Sequence, residues 1–324
     1  MIFYVARRLA WTILVVFVVV FVTFLVFFKL PAGDPALRFA GKSPTTEQLQ
    51  EIRHRLHLDR PFYVEFFYFA KTFVAGDEYG WPGLGYSPNS FASVKSIIVE
   101  RTPRTLWLIA GAATIWLTFG VAIGVLSAVK RRTLVDRLAM GFALFGISAP
   151  VFWLGLMALF LFWRKLHWTA GTGYTPIDQG VGQWFSHLIL PWCVLALLYI
   201  AIYARMTRNN LLETLGEDYI RTARAKGLSE RRIIFRHALR ASLTPIVTLF
   251  GLDIALLVGG AIITESVFGW VGMGTVFRKA ISAFDLNLLM AATLITTTLA
   301  VGANLVADLL YSALDPRVRT GAGK

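Results

Sequence analysis

The sequence predicts an all-α, polytopic membrane protein that crosses the bilayer six times. Three observations carry the prediction. Mean hydropathy is +0.62, and only 16% of the 324 residues are charged, which is too apolar for a water-soluble globule. Six stretches approach the roughly 20 apolar residues that cross a core about 30 Å thick. Cations are also distributed unequally between alternate loops.

The first span, Leu9 to Phe28, carries no charge and follows Arg7 and Arg8. Its apolar run exceeds the roughly 7 to 15 residues of a signal-peptide core and no A-x-A site follows, so residues 1–30 read as an uncleaved anchor. Residues 31–103 then form an insertion. Ser43, Pro44, Thr45 and Thr46 signal a helix start, and Leu49, Ile52 and Leu56 follow at helical spacing. Phe62, Phe66, Phe69 and Phe73 draw a second apolar stripe, and Gly76, Gly80, Pro82, Gly83 and Gly85 mark turns before Thr102-Pro103 opens the second span. The expectation is a small helical extracytoplasmic cap lying on the bundle, either as packing alone or also touching a substrate carrier.

Residues 104–315 hold five further spans: Thr105 to Val129, Leu138 to Trp163, Leu188 to Ala204, Leu243 to Thr264 and Leu286 to Ala307. Pro150, Pro191 and Pro245 fall within three of them, which is tolerable where neighbouring helices satisfy the freed carbonyls. A basic loop, 205–242, separates the fourth and fifth spans, and 316–324 form a tail. No period of 20 to 50 residues repeats.

Six spans place both termini on one side. That side carries Arg7, Arg8, Lys130, Arg131, Arg132 and Arg137, nine cations from Arg205 to Arg240, and Arg317, Arg319 and Lys324. The opposite short loops offer only Arg164, Lys165, Arg278 and Lys279. The positive-inside rule therefore makes the termini and the basic loop cytoplasmic, and it accounts for the net charge of +13 without nucleic acid. Cys193, the single cysteine, lies in the fourth span and reads as a packing residue.

The most informative stretch is DYIRTARAKGLSERRIIFRHAL, Asp218 to Leu239. Tyr219 to Lys226 reads as a helix with small residues Thr222, Ala223 and Ala225, and with Glu217 and Asp218 at its amino end, where the helix dipole favours anions. Gly227 ends it in a left-handed cap with Leu228 supplying the hydrophobic contact. Ser229 then caps a second helix that starts at Glu230 and runs through Arg231, Ile233, Ile234 and Phe235. Helix, hinge, helix is the shape of a docking knob. A solvated basic loop, an anionic-lipid contact and a DNA-reading helix-turn-helix compete with that reading. The last is disfavoured because the unit is pinned between two spans.

At these residues the chain resembles the inner-membrane permeases of ABC importers for dipeptides, oligopeptides and nickel. The resemblance runs over nearly the whole chain: YVARRL (Tyr4 to Leu9), GDP (Gly33 to Pro35), LDRPF (Leu58 to Phe62), AVKR (Ala128 to Arg131), LGEDYIRTARAKGL (Leu215 to Leu228), GAIITESVFGW (Gly260 to Trp270) and LVADLLYSALDPRVR (Leu305 to Arg319). It implies the type I importer permease fold and identifies the basic loop with the family's EAA motif, whose coupling helix sits in a groove of the ATP-hydrolysing subunit. The motif's third alanine falls on Ala223 and its glycine on Gly227. Arg221 and Thr222 stand where the general motif has its acid and second alanine, and Leu239-Arg240 where it has Leu-Pro, departures typical of the peptide branch. After Trp270 the family usually has Pro-Gly, whereas this chain has Val271-Gly272.

The resemblance implies ATPase coupling through Glu217, Asp218, Tyr219, Arg221, Thr222, Ala223, Arg224, Ala225, Lys226, Gly227, Leu228 and Glu230. It also implies partners: a second homologous permease, one or two ATP-binding cassette ATPases and an extracytoplasmic substrate-binding protein, in the plasma membrane of a bacterium. No cofactor is expected on this chain, ATP and Mg belonging to partner subunits. AGKS at Ala40 to Ser43 mimics the end of a phosphate loop, but Ala36 stands where the first glycine is required.

Asp253, in mid-span, is costly to expose to lipid, by about 2.5 to 3.5 kcal/mol, so it should face the bundle or a wet cavity. It is a candidate for the translocation path or for an interhelical clamp to Asn304. Asp308, near the cytoplasmic end of span six, should pair with a basic group. His54 and His57 have ligand-like spacing but no third ligand nearby, so no metal site is expected. A membrane-embedded enzyme and an ion-coupled carrier are the alternatives; each needs several ionisable groups within the spans, where this sequence offers one Asp and no histidine pair.

Overall fold

In a computed structural model, residues 2–30, 34, 36–37, 45–55, 57–87 and 89–314 are described. The AGKS stretch, Gly33, Pro35, Ser43, Pro44, Leu56 and the tail from residue 315 lie outside them. Helix α1, Ile2–Phe24, continues through a π-helical turn, Leu25–Lys29. The insertion holds α2, Thr46–Arg55, α3, Phe62–Ala75, and a short antiparallel hairpin of β1, Tyr86–Ser87, and β2, Ala92–Ser93. The bundle continues with α4, Val94–Val129, α5, Leu134–Ser148, α6, Val151–Ala158, and α7, Val181–Leu215. After these come α8, Asp218–Ala225, α9, Glu230–Ser242, α10, Thr244–Val258, α11, Ile262–Phe268, α12, Met273–Ser282, and α13, Leu286–Leu314.

Four of these helices are long and apolar enough to cross a membrane unaided, and counting each of two bent pairs as one span brings the total to six. The bends fall at the prolines. Pro150 stops α5, and the pair α5 and α6 is bent by 101° there, so the third span is broken rather than continuous. Pro245 stands in the first turn of α10, where its missing N–H has no partner to lose, at a 47° bend from α9. Only Pro191 lies within an unbroken helix among the three.

Other expected boundaries also shift. Thr102-Pro103 does not open the second span; α4 begins at Val94, capped by the Ser93 hydroxyl, which accepts from the Ser96 amide at 3.2 Å. The fourth span extends beyond Ala204 to Leu215, so the first part of the basic loop is a continuation of α7. The fifth span stops at Val258, because Gly259 and Gly260 break it, and Thr264 belongs to α11. Cys193 is exposed on the outer surface of α7 rather than packed.

The central core lies where α4, α7 and α10 meet. Trp116 stacks on Tyr199 with ring centroids 4.5 Å apart, and Leu108, Ala112, Leu188, Ala196 and Tyr203 close around it. Small residues permit this approach. A β-carbon on Gly120 would stand 2.7 Å from Tyr203 Cβ, and one on Gly124 would stand 2.5 Å from Thr207 Cβ. Without a hydrophobic drive between helices in lipid, such backbone proximity is what makes dispersion contacts count. Large apolar side chains such as Trp11, Ile13, Phe17, Leu156 and Phe160 are exposed instead, as expected of a surface wetted by acyl chains.

The insertion packs as its stripe suggests. Phe66 and Phe69 of α3 meet Phe21, Phe24 and Phe28 of α1 in edge-on and tilted ring contacts at 5.1 to 5.5 Å. Lys29 pairs with buried Glu65 at 2.5 Å. Thr45 and Gln48 form a reciprocal capping box at the start of α2. Replacing Gly124 with valine should lower stability in detergent by about 1 to 3 kcal/mol through overpacking against Thr207. Thermal unfolding checks this against Gly141→Ala within α5, where a β-carbon meets open space and the transition should stay in place or rise slightly, since alanine favours the helix over glycine.

Candidate coupling site

Helix α8 stands at the end of the bundle where the basic loop lies. Its inner face is short and apolar: Ile220 and Ala223 are buried against Val125 and Ala128 of α4, Leu211 of α7, and Ile233 and Ala238 of α9. Its outer face carries Asp218, Tyr219, Arg221, Thr222, Arg224, Ala225 and Lys226, all exposed. The helix that the sequence placed at Tyr219 to Lys226 thus forms one residue earlier, with Lys226 as C-cap.

The turn after it is a Schellman motif. Gly227 has φ of +74°, its N–H donates to the Arg224 carbonyl at 2.9 Å, and the Leu228 N–H donates to the Ala223 carbonyl at 3.3 Å. Leu228 folds back onto the same small core. Ser229 occupies the N-cap of α9, but its backbone carbonyl, not its hydroxyl, begins that helix by accepting from the Ile233 N–H at 3.0 Å.

Two features differ from the expected hinge with a small-residue face. Ala223 points into the chain's own core, so it governs how α8 seats rather than what approaches from outside. The turn is also braced: Arg224 Nε donates to Glu230 Oε1 at 2.7 Å and Nη2 to Oε2 at 3.3 Å. That guanidinium holds the Glu230 carboxyl below the ordinary carboxylate range. Asp218 pairs with Arg221 at 3.3 Å, and the Thr222 hydroxyl donates to the Asp218 carbonyl at 3.0 Å. Glu217 is the N-cap by position and makes no side-chain capping bond. Partial burial, and then the Glu217 charge, push the Tyr219 hydroxyl pKa up.

Asp253 is buried on α10, and the Tyr203 hydroxyl of α7 donates to its Oδ2 at 2.7 Å. Asn304 of α13 is half-buried, and among the described residues no hydrogen bond links it to Asp253; it lies instead where Gly251 lets α10 approach Ala307. The partner that sequence spacing suggested is therefore not the one the packing supplies. Asp308 does find a cation, Arg8 Nη1 at 2.6 Å.

Among the described residues four further acids are buried, Glu65, Asp136, Glu265 and Asp285, none of them marked by the sequence pattern, and two of these tie bundle helices together. Asp136 accepts from Arg208 Nε at 2.7 Å and Nη2 at 2.9 Å, from the Ser127 hydroxyl and from the Arg132 N–H, so it ties α4, α5 and α7 together just above α8. Glu265 is fully buried on α11 and accepts from the Thr105 hydroxyl at 2.7 Å and the Thr275 N–H at 2.9 Å. A side chain at Gly272 would strike Thr105 and Glu265, which explains the glycine after Val271. Acids in apolar context were the available signal, and Glu265 sits one residue past the assigned span.

The bundle thus combines broken and continuous spans with a braced helical protrusion at its basic end. The structure is similar to the MetNI methionine ABC transporter in inward-facing conformations, with a TM-score of 0.55 at 17% identity, over 68% of this chain and 97% of that one. Residues 120–320 match the family described as "Binding-protein-dependent transport system inner membrane component", and residues 1–109 match its N-terminal counterpart. The chain belongs to that family. Among its relatives is a "Probable peptide ABC transporter permease protein y4tP" of Sinorhizobium fredii, 37% identical over 98% of this chain and 99% of the relative. A "Di/tripeptide transport system permease protein DppB" of Pseudomonas aeruginosa is 37% identical over 98% and 99%. A "Glutathione transport system permease protein GsiC" of Escherichia coli is 36% identical over 98% and 98%.

Replacing Tyr203 with phenylalanine leaves the Asp253 carboxylate without its donor and should destabilise the bundle by about 1 to 3 kcal/mol. Asp253→Asn keeps an acceptor for the Tyr203 hydroxyl and should cost less, an ordering that denaturant titration in detergent can check.

Proposed function

We propose that this chain is one permease half of an ATP-driven peptide importer, and that residues 217–230 receive movement from a separate ATP-hydrolysing subunit. One observation carries the reading. The outer face of α8 is open, while its inner face shares a core with α4, α7 and α9. A displacement applied to the outer face therefore reaches α4 and α7 directly and α10 through α9. The Arg224–Glu230 brace and the Gly227 cap keep the turn from absorbing it.

The partners follow from this division of labour. A second homologous permease completes the path, one or two ATP-binding cassette ATPases supply the work and hold ATP and Mg, and an extracytoplasmic substrate-binding protein delivers cargo. The chain itself binds no cofactor in this reading and is not an enzyme. The peptide and glutathione transport named for its relatives supports a peptide-like cargo. The cation distribution supports a multi-pass protein of the bacterial plasma membrane with cytoplasmic termini and α8 on the cytoplasmic side. Asp253 acts as an interhelical clamp through Tyr203, and Asn304 supports packing beside it.

Gly227→Val forces a β-branched residue into the left-handed region, which strains the cap by roughly 1 to 2 kcal/mol or more. ATP-dependent uptake of a labelled dipeptide should fall at least about tenfold while the protein still inserts. Gly227→Asn, which tolerates this conformation, should retain most uptake. Wild-type uptake by the valine variant would refute the coupling role. Asp253→Asn should leave uptake and selectivity unchanged; altered selectivity would instead place Asp253 in the cargo path.

A further inference from the structure

Two phenylalanines at the insertion end of the bundle stand almost fully in solvent. Phe91 is 85% exposed and Phe284 is 84% exposed. Both adopt left-handed backbone, with φ of +50° and +54°, a conformation that is unfavourable for a bulky side chain. Phe284 occupies the position after a helix C-cap that glycine ordinarily fills: the Asp285 N–H donates to the Ala280 carbonyl at 2.9 Å, closing the Schellman turn of α12. Gly227 shows the usual solution to the same turn in this chain.

The two rings belong to one surface. Asn89 of the hairpin donates from Nδ2 to the Ala283 carbonyl at 3.2 Å, and the Ser87 hydroxyl donates to the buried Asp285 carboxylate. The hairpin tip is thereby fixed to the turn between α12 and α13. Ile281 is exposed beside it, as are Arg278 and Lys279, which have no ion-pair partner among the described residues.

The surface lies at the outer margin of the apolar spans, at the end opposite the basic loop, with Phe284 two residues before the apolar run of α13. Phe28, at the end of the first apolar run, packs with Met290 and Leu294, so the start of α13 rises several residues beyond that level at about 1.5 Å each. Phe91 precedes α4, which runs from Val94 for three turns before the uncharged run from Thr105 begins. Exposed aromatics beyond the uncharged apolar runs, held in strained backbone and flanked by cations without an ion-pair partner among the described residues, have the composition of an interface core with a basic rim.

We infer that Phe91, Phe284 and Ile281, with Arg278 and Lys279, form the docking surface for the soluble substrate-binding protein, met through apolar recesses bordered by carboxylates. The inference rests on the importer reading above and on its orientation.

The test uses the complete importer in nanodiscs and its purified substrate-binding protein, with ATP hydrolysis followed as that protein is titrated. Phe284→Gly suits the left-handed turn, so the variant should fold at least as well as wild type. It should raise the half-saturating concentration at least about tenfold, as removal of a central aromatic anchor does. Arg278→Glu with Lys279→Glu should raise it further and reverse the sign of its salt dependence. Unchanged half-saturation in both variants would overturn the docking surface while leaving the importer reading intact. No stimulation of wild type by the binding protein would overturn both. In a third arm, the emission that Phe284→Trp adds over wild type, whose ten tryptophans give the background, should be insensitive to brominated phospholipid and should shift on adding the binding protein; quenching of that added emission by the lipid would place the ring in the bilayer and overturn the proposal.

Discussion

The approach of α4 to α7 is the constraint on which the other features depend. Gly111, Gly120 and Gly124 clear one side of α4, and Trp192, Tyr203 and Thr207 fill the space. Lipid offers no hydrophobic reward for joining two apolar helices, so the pair holds through contact density that any β-carbon at those glycines would spoil. Both helices extend beyond the apolar zone. At the basic end α4 and α7 carry the core on which α8 sits, and at the other end α4 carries the platform for α12 and α13.

Buried polar groups then fix how the remaining helices join that pair. Asp136 with Arg208 and Ser127 attaches α5, and Asp253 with Tyr203 attaches α10. Glu265 with Thr105 and Thr275 attaches α11 and α12. Each carboxylate accepts from groups on other elements, so in a medium without competing water each bond selects one arrangement of helices among several that apolar packing alone would tolerate. The breaks at Pro150 and at Gly259-Gly260 make these attachments necessary, because a broken span cannot position its second half by helical continuity.

The two Schellman turns illustrate how the same backbone serves opposite ends. At Gly227 the left-handed residue has no side chain, the turn is braced by Arg224 and Glu230, and the helix before it presents an exposed outer face. At Phe284 the left-handed residue carries a ring that none of the described residues buries. A glycine there would satisfy the turn, so the ring is an addition to the fold and not a requirement of it.

The sequence by itself determined the apolar stretches, the basic side and the helix, cap and helix of residues 218–239, since apolar length, charge bias and a glycine after a helical run are local properties. It also carried the aromatic stripe from Phe62 to Phe73, whose partner on α1 is its neighbour in the chain. Tertiary structure alone decided that Ala223 faces inward, that Asp253 takes Tyr203 rather than Asn304, that Pro150 breaks a span while Pro191 does not, and that Glu265 is buried. Those outcomes depend on which face of a helix another helix covers. Within apolar runs every face is equally hydrophobic, so periodicity carries no direction and only the packed bundle supplies one.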